Sequence, residues 1–325
     1  MRKIVLYEPS IGSDNLGDQI IVDGVKTALG DLISKSFGVE LPTHTPVNWR
    51  YLRYLEKRKS DFKFVCGSNI IVGKLNDIVH LRQWAIPLLS MRWYGPVVLV
   101  GVGAQQYHQK INWYTKLAYK CLLKKDVLHS VRDSYTERTL KKIGISNVIN
   151  TACPTMWGLT VEHCKEIPQN KARYCVCTLT DYKKNISRDN YILDILKKNY
   201  EKVFFWPQGN GDLDYFCSLE GSVGIEVIAA NLESYNQYLE NCDTDYVGTR
   251  LHGGMRALQK KRRTLIIGVD NRAKELQADF GIPVIDQESI EILGEVIQKQ
   301  ISLNIKLPTD EIKKFLSQFG INYTE

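Results

Sequence analysis

The sequence predicts an α/β protein of two Rossmann-like lobes, each built on a mainly parallel sheet. Short apolar runs alternate with amphipathic segments along the chain, which is the pattern of repeated strand–helix–strand units. The length of 325 residues suits two domains, because domains usually hold roughly 100–200 residues. Glycine-bearing loops follow several predicted strands, and open α/β sheets bind ligands beyond the carboxyl ends of their strands.

The first lobe, residues 1–155, begins with a predicted strand at Ile4–Tyr7 and a helix from Asp18 to about Leu29. Its other strands are short apolar runs, and its other helices carry apolar residues at helical spacing. These strands are predicted at Phe62–Cys66, Val97–Val100, Val127–Val131 and Asn147–Thr151, and the helices at Ile111–Lys124 and Tyr135–Ile143.

The second lobe, residues 156–325, repeats this alternation. Its strands are predicted at Arg173–Thr178, Val203–Trp206, Glu226–Ala229, Asp245–Val247, Thr264–Ile267 and Pro283–Ile285. Its helices are predicted at Tyr191–Tyr200, Leu232–Leu239, Gly253–Lys260, Arg272–Phe280, Ser289–Gln300 and Asp310–Phe319.

Composition and charge weigh against a nucleic-acid-binding, a secreted and a membrane-spanning protein. The net charge is +7, and Lys and Arg are spread along the chain, whereas a nucleic-acid binder usually concentrates them in a stripe or tail. Two short basic clusters, Lys57–Lys59 and Lys260–Arg263, are expected to be solvated surface, with attraction to phosphates or an anionic membrane face as the alternative. The first strand begins almost at Met1 and Glu8 interrupts it, so we expect no secretory leader and a cytoplasmic protein. No apolar run approaches the roughly 18 residues of a membrane span. The eight cysteines are therefore expected to be reduced, with Cys175 and Cys177 packed in the core.

The first candidate site is the loop Gly12–Asp18, between the first strand and the first helix. Gly17 allows a ligand close to the backbone, and a helix N-terminus favours anions. Asn15 and Gly17 are candidate substrate contacts. Asp14 and Asp18 are candidate catalytic carboxylates that accept a proton from a hydroxyl. The alternative is that Asp18 only caps the helix.

Two arginines occupy comparable positions. Arg132 follows a predicted strand and precedes a helix, and its guanidinium suits a carboxylate or phosphate. The alternative is a structural pair with Asp133 or with a helix partner. Arg250 follows another strand, with Leu251 and His252 directly after it. Histidine titrates near neutral pH, so an arginine and a histidine at one strand end favour a functional site over a structural one.

Further loops complete the set of candidates. Gly103 lies in a loop after a buried strand, and Gln208, in the loop Trp206–Asp212, suits a sugar hydroxyl or a base edge, although a plain turn is an equal alternative. The remaining histidines lack the ligand spacing of a metal site, and we expect no metal. Neither a phosphate-binding Gly-x-x-x-x-Gly-Lys-Ser/Thr loop nor a Gly-x-Ser-x-Gly nucleophile motif is present.

In this order, the motifs resemble those of the polysaccharide pyruvyl transferase family. The matching pieces span roughly residues 4–286 and are Asn15-Leu16-Gly17-Asp18, Gly101-Val102-Gly103-Ala104, Ser130-Val131-Arg132-Asp133, Thr139–Gly144, Thr249-Arg250-Leu251-His252 and the stretch Asp270–Ile282. Relatives often carry Asp-Pro near the lobe boundary, where this chain has Cys153-Pro154, and often a glycine pair where it has Gly67-Ser68-Asn69.

The resemblance implies a GT-B-like architecture with an interlobe cleft. It implies transfer of a pyruvyl group, as a cyclic ketal, from phosphoenolpyruvate to a sugar of a cell-surface polysaccharide or its precursor. It also implies that Arg132 and Arg250 hold the donor, that His252 is the general acid and that no cofactor is needed. The acceptor would be lipid-linked or nucleotide-linked.

Two other functions stay open from the sequence. A GT-B-type glycosyltransferase would use a nucleotide sugar, with the loop Trp206–Asp212 against the base. A non-catalytic anion-binding protein of the same pathway would keep the fold without the reaction. Contact with the inner membrane face is also expected, because Trp84–Tyr94 and Ile111–Lys124 carry aromatic and basic residues; ordinary packing is the alternative.

Overall fold

The computed structural model describes residues 1–77, 83–84, 86, 91–107 and 110–323. Its strands are β1 Arg2–Glu8, β2 Ser36–Pro42, β3 Phe62–Cys66, β4 Val98–Val100, β5 His129–Val131, β6 Val148–Asn150, β7 Tyr174–Thr178, β8 Lys202–Phe205, β9 Glu226–Val227, β10 Thr244–Gly248, β11 Thr264–Gly268 and β12 Val284–Asp286. Its α-helices are α1 Leu16–Ala28, α2 Gly30–Ser34, α3 Trp49–Lys57, α4 Met91–Tyr94, α5 Trp113–Leu122, α6 Ser134–Lys142, α7 Val161–Lys165, α8 Ile186–Asn199, α9 Asp212–Cys217, α10 Leu232–Asn241, α11 Leu251–Gln259, α12 Asn271–Phe280, α13 Leu293–Gln298 and α14 Thr309–Ser317.

The chain forms two compact units, which we call unit 1 and unit 2. Unit 1 contains residues 1–13, 21–157 and those from Leu307 onward, and unit 2 contains 14–20 and 158–306. The predicted boundary at residue 155 lies two residues from the change of unit after Trp157. The structure differs from that division at 14–20 and at the C-terminal segment.

Unit 1 is built on a parallel sheet of strand order β2-β1-β3-β4, with β5 and β6 forming a parallel pair. Both faces of β1 are covered, because Val5 and Tyr7 belong to one apolar cluster while Ile4 and Leu6 belong to another. Burial on both faces explains why this strand is a continuous apolar run rather than an alternating one. The carboxyl ends of β1, β3 and β4 consequently share one edge.

The C-terminal helix α14 packs on unit 1 and not on the lobe in which the sequence placed it. Its apolar residues Ile312, Phe315 and Leu316 join the cluster that contains Phe64 and Trp157. The physical reason is aromatic packing, since the rings of Trp157 and Phe315 meet edge to face with centroids 6.2 Å apart.

Unit 2 is built on a parallel sheet of strand order β12-β11-β10-β7-β8-β9. Strand β7 lies near its centre, and Cys175 and Cys177 project from one face of that strand into the core. All eight cysteines are free thiols. Core packing of Cys175 and Cys177 is thereby confirmed.

Helix α1 begins at Leu16, two residues before the predicted start at Asp18. Asn15, directly before it, accepts a hydrogen bond from the backbone N–H of Gly17 at 3.0 Å. Asn15 therefore occupies the capping position, and the alternative that Asp18 caps the helix is wrong. Over the described part of the chain, no helix combines the length and the apolar character needed to cross a membrane.

Candidate functional site

In unit 1, Arg132 lies one residue beyond β5 and is almost completely buried. Its backbone N–H donates to the carbonyl of Val102 at 3.0 Å, which fixes its position beside the end of β4. Its guanidinium donates to Oδ1 of Asn69 and, through Nε, contacts Oδ2 of Asp133 at 3.4 Å. The pairing with Asp133 is thus present, but it is long and engages one side of the guanidinium.

Asp133 also caps the helix that follows it. It precedes α6, and its Oδ1 accepts a hydrogen bond from the backbone N–H of Thr136 at 2.7 Å. This N-cap stabilises the helix, typically by about 1 kcal/mol. Since one carboxylate oxygen caps α6, Asp133 is oriented by the helix and not by Arg132.

Gly103 lies directly against the Arg132 guanidinium. A Cβ atom at Gly103 would come within 2.3 Å of Nε and 2.4 Å of Cζ of Arg132. Any side chain at position 103 would therefore have to displace the guanidinium, so Gly103 leaves Arg132 its position, and it is also a predicted substrate contact.

Asn69, which the sequence placed in a loop without a role, is the neutral partner of Arg132. Its backbone N–H donates to Oε1 of Gln83 at 2.7 Å, and the hydroxyl of Ser68 donates to the same oxygen at 2.8 Å. Ser68 has a φ of 63°, a left-handed conformation that non-glycine residues adopt rarely. The loop after β3 is therefore constrained where it presents Asn69 to the arginine.

In unit 2, Arg250 precedes α11 and is buried beside two carboxylates. Its Nε donates to Oδ2 of Asp212 at 2.9 Å, its Nη2 contacts Oδ1 of the same residue, and Nη2 also donates to Oδ1 of Asp181 at 2.9 Å. Burial raises the pKa of Asp212, and its bonds to Arg250 and to two backbone N–H groups offset part of that rise. The guanidinium thus has a bidentate partner within the protein.

Leu251 and His252 form the first turn of α11, and both are buried. The glycines that follow serve the packing of this helix. A Cβ at Gly254 would lie 2.7 Å from Cγ1 of Ile266, and the carbonyl of Gly253 accepts a hydrogen bond from the hydroxyl of Tyr235 at 3.0 Å. Close packing on the sheet holds the start of α11, and with it His252, in place.

Asn15, Gly17 and Gln208 meet in unit 2. Nε2 of Gln208 donates to Oδ1 of Asn15 at 2.9 Å, and the backbone N–H of Leu16 donates to the carbonyl of Gln208 at 2.8 Å. A Cβ at Gly17 would lie 2.6 Å from Nε2 of Gln208. Among the residues that the structure describes, Oε1 of Gln208 is buried and accepts no hydrogen bond.

The two candidate carboxylates differ in exposure. Asp14 is exposed, and its backbone carbonyl accepts a hydrogen bond from the N–H of Asn210 at 2.9 Å. Asp18 is 3% exposed in the first turn of α1. Burial alone would lower the pKa of Arg272, but the charge and hydrogen bond of Asp270 raise it, and the charge of Asp18 adds a smaller contribution.

The sequence of this chain matches the family model for polysaccharide pyruvyl transferase over residues 15–271. That stretch covers more than three quarters of the chain and includes all of these candidate residues except Asp14. The chain belongs to the polysaccharide pyruvyl transferase family. It is therefore a polysaccharide-modifying transferase. No curated protein matches the sequence significantly.

Two solved structures share the fold. A co-structure of MnaA from S. aureus with UDP has a TM-score of 0.53 and 9% identity, and the match covers 100% of this chain and 99% of that one. UDP-GlcNAc 2-epimerase from Methanocaldococcus jannaschii, in complex with UDP-GlcNAc and UDP, has a TM-score of 0.50, 11% identity and coverage of 94% and 96%. These matches and the parallel sheets confirm the predicted two-lobed, GT-B-like α/β fold class.

The structure of this family member adds residues that the sequence did not single out. The ring of Tyr182, after β7, lies beside two guanidiniums, with Cζ of Arg250 at 5.0 Å and Cζ of Arg272 at 5.9 Å from its centroid. Its hydroxyl donates to Oδ2 of Asp270 at 3.1 Å. Burial alone would raise the pKa of Asp270, but Arg272 and Tyr182 lower it to about 2. Only the position of Asp270 at a strand end could have indicated this cluster.

The loop after β8 in this transferase is neither a plain turn nor an open aromatic surface. Trp206 is fully buried, and its ring stacks on Tyr235 with centroids 3.8 Å apart. Within the described ranges, no group of three or more His, Cys, Asp and Glu side chains could hold a metal ion. The expectation that the reaction needs neither metal nor cofactor stays a prediction.

Proposed function

We propose that this transferase moves a pyruvyl group from phosphoenolpyruvate to two hydroxyls of one sugar and forms a cyclic ketal. The methylene carbon of the donor gains a proton and becomes a methyl group. The adjacent carbon forms bonds to both sugar oxygens, and phosphate leaves. The observation that carries the proposal is that Arg132, Arg250 and His252 all follow the carboxyl ends of parallel strands, where open α/β sheets bind ligands.

Arg132 is the residue that we assign to the donor. Its side-chain partners are the neutral amide of Asn69 and a long contact to Asp133. A guanidinium paired in this way retains charge that a carboxylate or phosphate can neutralise, and its fork matches either group in a bidentate manner. The absence of a side chain at Gly103 leaves the space that the guanidinium occupies, and burial with the bond to Asn69 restricts its motion, which lowers the entropy that binding would otherwise cost.

The contacts of Arg250 favour a role other than holding the donor, which is the role that the family resemblance implies. Its charge is matched by Asp212 and Asp181, and Asp212 also accepts the backbone N–H of Gly209 at 2.7 Å. We therefore assign Arg250 as a positioning residue that joins the loop before α9 to the start of α11. Its contact with the donor stays a prediction.

His252 is the proposed general acid. It lies two residues beyond Arg250, in a helix turn held against the sheet. Proton transfer by a positioned side chain contributes typically about 10²–10⁴-fold to a rate.

The acceptor is proposed to be a sugar of a surface polysaccharide or its lipid-linked or nucleotide-linked precursor. Oε1 of Gln208 supports a hydroxyl-bearing ligand, because it is a buried acceptor and a sugar hydroxyl can donate to it. Asp18 is a buried carboxylate of unit 2 and the first candidate for accepting the hydroxyl proton. Asp14, being exposed, is the second candidate.

One assay tests the proposal. The protein is incubated with phosphoenolpyruvate or with UDP-sugars, together with a panel of sugar acceptors, and release of phosphate or UDP is followed. We expect phosphate release that depends on the acceptor. His252→Ala should lower the rate at least about 100-fold while donor binding stays close to that of the wild type.

The matched control is His163→Ala, because His163 lies in the same unit and its ring bonds the carbonyl of Leu258, at 2.8 Å, away from any predicted site residue. This variant should keep its activity. Release of UDP in place of phosphate would instead identify a glycosyltransferase. If neither product were released with any donor, the protein would be a non-catalytic binding protein. The stacking of Trp206 on Tyr235 already weighs against the loop after β8 as a base-binding surface.

A further inference from the structure

Helix α3 of unit 1 exposes nearly all of its surface. Only Leu52 and Leu55 are buried, so a narrow stripe attaches the helix to the core. The outward side chains include three aromatic ones, Trp49, Tyr51 and Tyr54, which are 44%, 42% and 48% exposed. Large aromatic residues are uncommon on a solvated helix face, and their clustering marks an interaction surface.

The same segment concentrates positive charge. Residues 49–59 contain five basic side chains and one acidic one, a net charge of +4 out of +7 for the whole chain. The basic residues are Arg50, Arg53, Lys57, Arg58 and Lys59, and all five are exposed. The segment therefore carries most of the excess charge of the protein in one short stretch.

Guanidiniums and rings are interleaved on this face. Arg50 lies over the ring of Trp49 with Cζ 5.5 Å from the centroid, and Arg58 lies over Tyr54 at 5.0 Å. On the neighbouring helix α4, Arg92 lies over Trp93 at 4.2 Å, and the rings of Trp93 and Trp49 stack at 5.6 Å. We call this set, the outward residues of α3 with Arg92 and Trp93, the aromatic–basic surface.

We propose that the aromatic–basic surface docks the enzyme on an anionic lipid surface. Charge complementarity selects the occupant, since clustered basic side chains are attracted to anionic headgroups. The aromatic residues are Trp and Tyr, whose rings favour the depth of the headgroups, and aliphatic side chains of α3 face the core instead. The surface is therefore suited to rest at the interface and not to enter the acyl region.

This placement refines the membrane contact expected from the sequence. Of the stretch Trp84–Tyr94, residues 85 and 87–90 lie outside those that the structure describes. Helix α5 exposes Trp113 and Leu117, but its basic residues are fewer. The inference concerns where the protein binds lipid and holds whether or not the proposed reaction is correct.

The test uses the full chain and sedimentation with vesicles of phosphatidylcholine, alone or mixed with phosphatidylglycerol. We expect binding to the mixed vesicles that weakens as salt rises. Each basic residue near an anionic surface contributes about 1 kcal/mol, or about fivefold in affinity, so the double variant Arg50→Gln/Arg53→Gln should bind about 30-fold more weakly.

The matched control removes the same charge elsewhere in unit 1, in Lys116→Gln/Lys120→Gln, both exposed on α5. It should keep most of the lipid binding. Equal loss in both double variants, or equal binding to both kinds of vesicle, would overturn the assignment to α3. Retained lipid binding in the α3 variant, with loss of self-association or of binding to an acidic polysaccharide, would overturn it as well. Phosphate release measured with a soluble acceptor should be the same in both variants, which separates this inference from the proposed reaction.

Discussion

Asn15 and Gln208, 193 residues apart in sequence, are joined by a side-chain hydrogen bond, and the backbones of their two loops are paired beside it. Gln208 donates its amide to Asn15 at 2.9 Å, and an isolated antiparallel bridge pairs Asn15 with Gly209. The loop before α1 and the loop after β8, which are far apart in the sequence, are therefore bonded to each other within unit 2. Any contact that Asn15 or Gln208 makes with the substrate therefore depends on the bond between these two side chains.

The first prediction concerns Gly17→Ala. The new Cβ would lie 2.6 Å from Nε2 of Gln208 and 3.1 Å from Oδ1 of Asn15, so it must displace the bond between them. A lost hydrogen bond with an unsatisfied buried amide costs about 1–3 kcal/mol, and the helix preference of alanine returns up to about 1 kcal/mol. We expect a net loss of about 1 kcal/mol in the free energy of unfolding, measured by urea denaturation.

Gly30→Ala is the control for Gly17→Ala. Gly30 is also a helical glycine, and a Cβ there would meet nothing within 4 Å. This variant should be neutral or slightly stabilising. If both variants behaved alike, the close approach of Gly17 to Gln208 would have no energetic consequence.

The second prediction concerns Arg250→Ala. Asp212 is fully buried, and removing its bidentate partner would leave a carboxylate without a cation. Loss of one member of a buried ion pair costs about 3–5 kcal/mol. The double variant Arg250→Ala/Asp212→Asn should recover part of this loss, because the amide carries no charge. Urea denaturation of the three proteins measures the difference.

The exposed pair of Arg173 and Glu201, with side chains 59% and 61% exposed, provides the comparison. Arg173→Ala should change the free energy of unfolding far less than Arg250→Ala, since solvent screens exposed pairs. A similarly small effect of Arg250→Ala would show that Arg250 is not a positioning residue.

Strands that are buried on both faces could be predicted from the sequence. Strand β3 occupies the predicted residues Phe62–Cys66, because a strand covered on both sides must be a continuous apolar run. The sequence did not predict β2, Ser36–Pro42, an edge strand of mixed exposure with Phe37 facing solvent. Helix α3 was missed for the same reason, since its buried stripe contains two residues.

For the candidate site, the sequence predicted positions but not partners. Arg132 and Arg250 could be placed at strand ends because a strand, a charged residue and a helix follow one another locally. The pairing of Arg250 with Asp212 spans 38 residues and depends on β8 lying two strands from β10, which a single sequence does not reveal. No sequence feature other than its position in a loop indicated a role for Asn69, because its partner in the fold, Arg132, is 63 residues away.

The third prediction concerns pH and His129, which is buried in unit 1. Its Nδ1 accepts a hydrogen bond from the N–H of Leu99 at 3.2 Å, and its Nε2–H donates to the carbonyl of Lys124 at 2.9 Å. The bond from Leu99 requires an unprotonated Nδ1 and therefore the neutral ring, whereas Nε2–H can donate to Lys124 in either protonation state. Burial lowers the pKa of His129 to about 4, and the bond to Lys124 offsets part of that shift.

Because the folded pKa lies below the unfolded value of about 6.5, the unfolded chain takes up the proton first. The contribution of His129 to stability is therefore complete above about pH 6.5 and falls by about 3 kcal/mol as the pH decreases to 4. His129→Gln should remove this part of the pH dependence, measured by urea denaturation across that range. An unchanged slope in His129→Gln would contradict the assignment.

The last prediction concerns Gly103→Ala, which should reproduce the effect of Arg132→Ala on donor binding. A Cβ 2.3–2.6 Å from three atoms of the guanidinium forces Arg132 from its position, although no charge is removed. A hydrogen bond to a charged group contributes about 1.5–3 kcal/mol, so both variants should bind phosphoenolpyruvate about 10- to 100-fold more weakly by calorimetry. Gly158→Ala, where a Cβ would meet nothing within 4 Å, should bind it normally. Weak binding in Arg132→Ala together with normal binding in Gly103→Ala would mean that the donor needs the charge of Arg132 but not its orientation, and the role assigned to Gly103 would then be wrong.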